Sequence, residues 1–186
     1  MGILRTIPNM TIVNGCDYYS TRKLVRAAAY YQGPVYLRFT RDAVPFVYDE
    51  TEAFEFGKAK VLKDGSDITI IANGDVMSRA YEAADLLEEK GISVRLLDMH
   101  TIKPLDTESV LDALKKTGRV ITVEDHNVIN GLGSAVCEVA SEAGKGIVKR
   151  VGIQDQFGQS APYERLLEMN GITVENIVAI AEKLTK

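Results

Sequence analysis

The sequence has no tryptophan and only two cysteines among its 186 residues. Cys16 and Cys137 lie far apart, without the paired spacing of a zinc site or of a disulfide framework. Because disulfides are rare in reducing compartments, the two residues predict free thiols in a cytoplasmic protein. The two histidines, His100 and His126, have no cysteine or carboxylate at ligand spacing, so we expect no metal site.

Long apolar runs and an excess of basic residues are also missing. The longest apolar stretches, such as residues 68–72, are too short to cross a bilayer. Residues 1–5 lack the basic and then apolar order of a signal peptide. The formal net charge of -4 at pH 7 provides no basic surface for nucleic acid or for an acidic membrane. We therefore expect neither nucleic acid nor a membrane as a partner.

The composition, 46% hydrophobic and 26% charged, is typical of a soluble globular protein, and the length fits one domain or one domain with a fragment of another. At the start of the chain, apolar residues 11–13 and 35–39 flank an amphipathic stretch at 18–31. Asp17 precedes this stretch in the position of a helix N-cap. A helix between two strands implies a parallel crossover, so the pattern predicts a β-α-β unit.

The acidic residues 49–56 interrupt the periodicity and predict a linker between a fragment at residues 1–48 and a domain at residues 57–186. Strands are predicted in that domain at residues 59–62, 68–72, 94–97, 120–123 and 149–153, and helices at residues 76–90, 109–117, 133–143, 165–169 and 174–184. Strands that alternate with helices predict a three-layer α/β/α domain with a mostly parallel sheet.

Ligands of such sheets bind at the loops that follow the strands. Three of these loops carry polar residues, at residues 39–42, 124–133 and 155–160. We therefore expect the candidate site to involve one or more of them.

Several segments together resemble one family, the thiamine-diphosphate-dependent transketolases. The segments IPNMT (7–11) and GPVYLR (33–38) resemble the end of its pyrimidine-binding domain. Residues from 57 onward resemble its C-terminal domain, and the segments that carry this resemblance are NGDV (73–76), DMHTIKPLD (98–106), EDH (124–126), GLG (131–133) and FGQS (157–160). The chain departs from the family at two positions, where Asn130 and Ala161 each replace a glycine. These departures bear on loop geometry rather than on the assignment.

The resemblance implies an enzyme that transfers a two-carbon ketol unit between sugar phosphates, with thiamine diphosphate and Mg²⁺ as cofactors of the complete enzyme. The parts of the family that hold these cofactors lie upstream of the matched segments. We therefore expect the chain alone to bind no cofactor and to be non-catalytic. Its expected partners are a missing N-terminal half or a separate N-terminal subunit, and further copies of itself.

Two alternatives stay open. The same architecture occurs in deoxyxylulose-phosphate synthase and in the beta subunits of 2-oxoacid dehydrogenases. From a different class, the chain is also compatible with a stand-alone module that binds a small anionic effector.

Arg41 is the one residue to which the resemblance gives a substrate contact, with the sugar phosphate. A guanidinium suits phosphate because it offers two parallel donors. The competing interpretation is a surface ion pair with Asp42, since such pairs are common and weak. Arg38 is interpreted as structural, because alternation along a continuing strand would point it away from Arg41.

The second candidate site is an interface or effector loop that contains Glu124, His126, Gly131 and Gly133. A glycine loop before a helix can hold an anion on free backbone amides. The alternatives are a tight strand-to-helix turn for the glycines and local hydrogen bonds for His126. Glu124 has no evident partner in the sequence.

Overall fold

A computed structural model describes all 186 residues. The helices are α1 (Gly2–Arg5), α2 (Tyr18–Tyr30), α3 (Met77–Glu89), α4 (Thr107–Lys116), α5 (Leu132–Ala143), α6 (Tyr163–Met169) and α7 (Val174–Thr185). The strands are β1 (Thr11–Asn14), β2 (Val35–Arg38), β3 (Lys60–Lys63), β4 (Ile68–Ala72), β5 (Val94–Asp98), β6 (Thr101–Lys103), β7 (Arg119–Asn127) and β8 (Ile147–Ile153). A single 3-10 turn, Gly74–Val76, precedes α3.

The larger sheet has five strands in the order β3-β5-β4-β7-β8. The β5-β4-β7-β8 portion is parallel, whereas β3 runs antiparallel to β5 at one edge. Helices connect the parallel strands, as the crossover between parallel neighbours requires. The predicted α/β class with a mostly parallel sheet is confirmed.

Helices cover both faces of this sheet. Ile70 and Ile71 are adjacent on β4 and both are fully buried, but they belong to different apolar clusters because successive side chains of a strand point to opposite faces. The cluster around Ile70 includes residues of α3 and α7, and that around Ile71 includes residues of α4 and α5. The three layers are therefore α3 with α7, the sheet, and α4 with α5.

The smaller sheet has the order β2-β1-β6. The parallel β1–β2 pair is the predicted β-α-β unit around α2. The sequence did not predict β6, which pairs antiparallel with β1. Since β6 lies within residues 57–186, the two predicted parts of the chain share a sheet.

No helix or strand lies between β2 and β3, a stretch that includes the predicted linker at residues 49–56. Cys16 and Tyr48, from the predicted fragment at residues 1–48, are buried in the same cluster as Ile70. The boundaries 1–48, 49–56 and 57–186 stay a prediction. None of the helices is long and apolar enough to cross a membrane.

Asp17 joins α2 to the segment that follows β2. Its Oδ1 accepts from the backbone N–H of Ser20 at 2.8 Å, which confirms the predicted N-cap. Its Oδ2 accepts from the backbone N–H groups of Val47 and Tyr48 at 2.9 and 2.8 Å. One buried carboxylate therefore holds three backbone amides from two segments.

Asp17→Ala should destabilise the chain much more than removal of an ordinary helix cap. The substitution removes a cap worth ~1 kcal/mol and leaves two further amides unpaired, for a total of roughly 3 kcal/mol or more. Thr173→Ala is the matched control, because Thr173 caps α7 through one amide only, that of Asn176, and should cost ~1 kcal/mol. Urea unfolding of both variants measures the difference, and equal losses would contradict a joining function for Asp17.

Candidate functional site

Arg38 and Asp125 form an ion pair that connects the end of β2 to β7. Arg38 Nη1 donates to Asp125 Oδ1 at 2.5 Å, and Nη2 donates to Oδ2 at 2.6 Å. Nη2 also donates to the backbone oxygen of Asp125 at 3.3 Å. The Asp125 side chain is only 9% exposed. Two parallel charged hydrogen bonds of this kind fix the orientation of both groups as well as their distance.

Burial raises the pKa of Asp125 to about 6, although the hydrogen bonds and charge of Arg38 act to lower it. The two short hydrogen bonds from the guanidinium favour the ionised carboxylate, which neutralises the charge of Arg38. The structural interpretation of Arg38 agrees with this geometry. The sequence pattern indicated no function for Asp125 itself.

Arg41 lies three residues beyond β2 in an irregular loop and is exposed. It forms no ion pair with Asp42 or with any other carboxylate of the chain. The competing interpretation of a surface pair with Asp42 is thus not what the structure contains. The phosphate contact of Arg41 stays a prediction, and the guanidinium is free to make it.

An open cleft of about 800 Å³ lies beside this loop and includes Asp42 and Pro45 among its lining residues. Its other charged lining residues are Asp75, Arg79, Glu82, Asp85, Glu164, Glu168 and Glu175. The one arginine among them, Arg79, is paired with Glu164. The cleft therefore repels anions and is unsuited to a sugar phosphate.

The Glu124 side chain caps the N-terminus of α5. Its Oε2 accepts from the backbone N–H of Leu132 and its Oε1 from that of Gly133, both at 2.8 Å. The residue is fully buried, and burial raises the pKa of Glu124 to about 7 against these two hydrogen bonds. The sequence did not reveal these partners. They occupy the backbone amides that an anionic effector would need if it bound at this loop.

Glycine is needed at both positions because neighbouring side chains approach the backbone closely, Glu124 at Gly131 and Thr122 at Gly133. A Cβ at Gly131 would lie 2.0 Å from Glu124 Oε2, and a Cβ at Gly133 would lie 2.7 Å from Thr122 Oγ1. Asn130 has a φ of 62°, a left-handed conformation that asparagine tolerates better than most residues. The loop is therefore a tight strand-to-helix turn.

His126 contacts both its own loop and the start of the chain. Its Nδ1 lies 2.7 Å from the backbone oxygen of Asn127, and its Nε2 accepts from the backbone N–H of Gly2 at 3.3 Å. Burial lowers the pKa of His126. An interface or effector function for Glu124, His126, Gly131 and Gly133 stays a prediction, and the geometry accounts for each residue without it.

A second buried carboxyl group, Asp98, lies at the end of β5 and was not singled out by the sequence. Its Oδ2 accepts from the Tyr48 hydroxyl at 2.9 Å and from the Cys16 thiol at 3.6 Å, whereas its Oδ1 has no partner. Burial raises the pKa of Asp98 to about 7. Because both donors are neutral, they stabilise the ionised form of this carboxyl group only weakly.

No group of three or more histidine, cysteine or acidic side chains in the chain could hold a metal ion. The exposed Arg41 and the acidic cleft do not form a site for a diphosphate, which needs a metal ion or converging cations. The residues of this chain therefore do not fit the thiamine-diphosphate and Mg²⁺ site of a complete enzyme.

Two family models match the chain. The transketolase C-terminal domain matches residues 57–177, and the transketolase pyrimidine binding domain matches residues 1–47. The chain belongs to the transketolase family. That family depends on thiamine diphosphate, and the resemblance seen in the sequence is confirmed.

Individual relatives agree with this assignment. A putative transketolase C-terminal section of Methanocaldococcus jannaschii is 43% identical over 100% of this chain and 59% of its own length. One of the subunits of an apulose-4-phosphate transketolase of Phocaeicola vulgatus is 44% identical over 100% of this chain and 60% of its own. A solved structure described as a split gene transketolase, an inactive beta4 tetramer, has a TM-score of 0.94 and 43% identity, and the match covers 100% of this chain and 62% of that one. The transketolase-family chain thus spans about three fifths of the length of these proteins.

Asp98→Asn should change how the stability of this transketolase-family chain depends on pH. The folded pKa of Asp98, about 7, lies above its ordinary value of 3.8. Between these two pH values the folded chain keeps a proton that the unfolded chain has lost, so this group's contribution to stability decreases as pH rises. Above pH 7 the loss is complete and amounts to roughly 4 kcal/mol.

The asparagine variant should lack this decrease, because its side chain is neutral at every pH. Urea unfolding at about pH 4.5 and 7.5 measures the difference between wild type and variant, so that the contributions of other titrating groups cancel. Asp42→Asn, at an exposed position without an ion pair, serves as the control. A constant difference between wild type and Asp98→Asn across this range would show that Asp98 is ionised in the folded chain.

Proposed function

We propose that this chain is the C-terminal part of a transketolase-type enzyme that transfers a two-carbon ketol unit from a ketose phosphate to an aldose phosphate. The observation that carries the proposal is the similarity, over the whole chain, to proteins described as a transketolase C-terminal section and as a transketolase subunit. The alternative of a stand-alone effector module loses support, because Glu124 occupies the backbone amides proposed for the anion.

The complete enzyme requires a further part that supplies the cofactor site. The relatives are longer than this chain, and the chain holds no group suited to a metal ion. We therefore assign thiamine diphosphate and Mg²⁺ to an N-terminal part, which is either a missing half or a separate subunit. The cofactor supplies the carbanion chemistry, and the chain described here supplies binding and orientation. Alone, the chain is expected to be inactive.

Assembly of several copies is part of the proposal. The similar solved structure is described as a tetramer of beta chains that is inactive. By analogy, copies of this chain associate with one another and become active when the N-terminal part joins them. Both cysteines are free thiols, which suits the proposed cytoplasmic location.

Within this enzyme, Arg41 would bind the phosphate of the sugar. The phosphate does not react, so its binding energy can be used to orient the carbon that does react. Arg41 suits this function because it is exposed and has no carboxylate partner, while the neighbouring Arg38 is already neutralised by Asp125. Arg41, just beyond the end of β2, is thus the arginine that remains available to bind an anion.

Arg41→Ala should lower kcat/KM for a phosphorylated acceptor roughly 10- to 150-fold relative to an unphosphorylated one, since a charged hydrogen bond is worth on the order of 1.5–3 kcal/mol. Arg41→Lys should recover part of this loss, because an ammonium keeps the charge but lacks the two parallel donors of a guanidinium. The measurement uses the chain assembled with its N-terminal part, thiamine diphosphate and Mg²⁺.

Arg119→Ala is the matched control. Arg119 is also exposed, but it is the first residue of β7. It therefore lies at the opposite end of the sheet from the carboxyl ends of the strands, where ligands bind. An unchanged preference in Arg41→Ala would remove Arg41 from the substrate site. Turnover with pyruvate as donor, in place of a ketose phosphate, would instead favour a deoxyxylulose-phosphate synthase or a 2-oxoacid dehydrogenase.

A further inference from the structure

We propose that the Arg38–Asp125 pair positions Arg41, so that Arg38 and Asp125 determine the preference for phosphorylated sugars without touching them. This inference rests on the proposed function, because it assigns to the pair the placement of the residue that binds phosphate. Neither residue is a substrate ligand in this proposal. Both act through the loop at residues 39–46 that carries Arg41.

This loop has little structure of its own. Residues 39–46 contain no helix or strand, and none of their backbone groups takes part in a backbone–backbone hydrogen bond. The one side-chain hydrogen bond within it runs from Thr40 Oγ1 to the backbone oxygen of Asp42 at 3.4 Å. The course of such a segment depends chiefly on how its two ends are held.

Both ends are held by buried aspartates. At the downstream end, Asp17 accepts from the N–H groups of Val47 and Tyr48, and the Phe46 ring packs on Tyr19 with centroids 5.4 Å apart. At the upstream end, Asp125 holds Arg38 through both carboxylate oxygens and its backbone oxygen. The upstream anchor is only three residues from Arg41, so it has the stronger influence on where that guanidinium lies.

The pair also leaves only one of two nearby arginines available to bind a phosphate. Arg38 cannot offer its fork to a phosphate while Asp125 occupies it, whereas Arg41 has no carboxylate partner. Without Asp125 the loop would lose its anchor and Arg38 would become a second, misplaced cation. The structure thus assigns to Asp125 both the anchoring of the loop and the choice of the arginine that binds.

Limited chymotrypsin digestion of the chain tests the anchor without any assay of activity. The protease can cut after Phe39 and Phe46, which are partly exposed and flank Arg41. Asp125→Asn keeps the shape of the side chain but removes its charge, so cleavage at these two bonds should be about tenfold faster or more, because cleavage follows the population of the opened segment. Asp125→Glu keeps the charge and should restore much of the protection.

Asp112→Asn is the matched control, because it removes the charge of a carboxylate that contacts another arginine, Arg95, at 2.8 Å and remote from the loop. It should leave cleavage at Phe39 and Phe46 unchanged. Should Asp125→Asn prevent folding, Arg38→Lys, which keeps the charge but not the fork, gives a smaller change in the same direction. Equal cleavage rates in wild type and in folded variants of this pair would overturn the proposal.

The second measurement is the kcat/KM ratio between phosphorylated and unphosphorylated acceptors in the assembled enzyme. Asp125→Asn should lower this ratio about tenfold, through KM for the phosphorylated acceptor, while kcat for the unphosphorylated acceptor stays unchanged. A purely structural defect would lower activity with both acceptors equally and would overturn the proposal.

The two proposals fail in different ways. If Arg41→Ala lowers the ratio but Asp125→Asn does not, the anchor is wrong and the phosphate function of Arg41 stands. If Arg41→Ala leaves the ratio unchanged, the phosphate function is wrong, and faster cleavage in Asp125→Asn would then show only that the pair holds the loop. An increased ratio in Asp125→Asn would mean that the released Arg38 binds phosphate, which contradicts the assigned division between the two arginines.

Discussion

The carboxylate of Asp17 ties helix α2 to the segment of the chain that follows β2. It begins α2 and, with its second oxygen, holds the backbone where the chain leaves the smaller sheet. A carboxylate in this position satisfies amides that would be costly to bury unpaired. Because both tasks use the same group, the orientation of α2 and the path of the chain after β2 are fixed together.

The other buried carboxyl groups have different hydrogen-bond partners, and these partners affect their pKa values. Asp125 is matched by a guanidinium, which offsets part of the effect of burial. Glu124 has two backbone amides at the start of a helix, and Asp98 has only a hydroxyl and a thiol. Burial raises the pKa of both to about 7. Of the three carboxyl groups, Asp125 is the one paired with an arginine.

Most of the larger sheet was predictable because its strands are apolar, short and separated by periodic helices. Residues 68–72, for example, are buried along their whole length, as a central parallel strand should be. By contrast, β6 has only three residues and its partner β1 is far away in sequence, so no local pattern marks it. The predicted N-cap Asp17 was correct because capping is a local interaction.

The candidate site was less predictable for the same reason. Arg38 and Asp125 are 87 residues apart, and nothing in either neighbourhood indicates the other. Glu124 lacked an evident partner because its partners are backbone N–H groups, which every residue except proline possesses. Acidic residues at a strand end were the available signal, one at Asp98 and two at Glu124–Asp125, and they indicate location but not pairing.

The pairing of β6 with β1 also affects how the chain can fold during synthesis. Ile12 pairs with Lys103, so β1 keeps an open edge until the ribosome has made and released the segment that contains β6. An open strand edge is a surface on which other chains can add, and contacts of long sequence separation form slowly. The nascent chain is therefore most prone to misassociation before Lys103 emerges, and a chaperone that shields strand edges would help most in that interval.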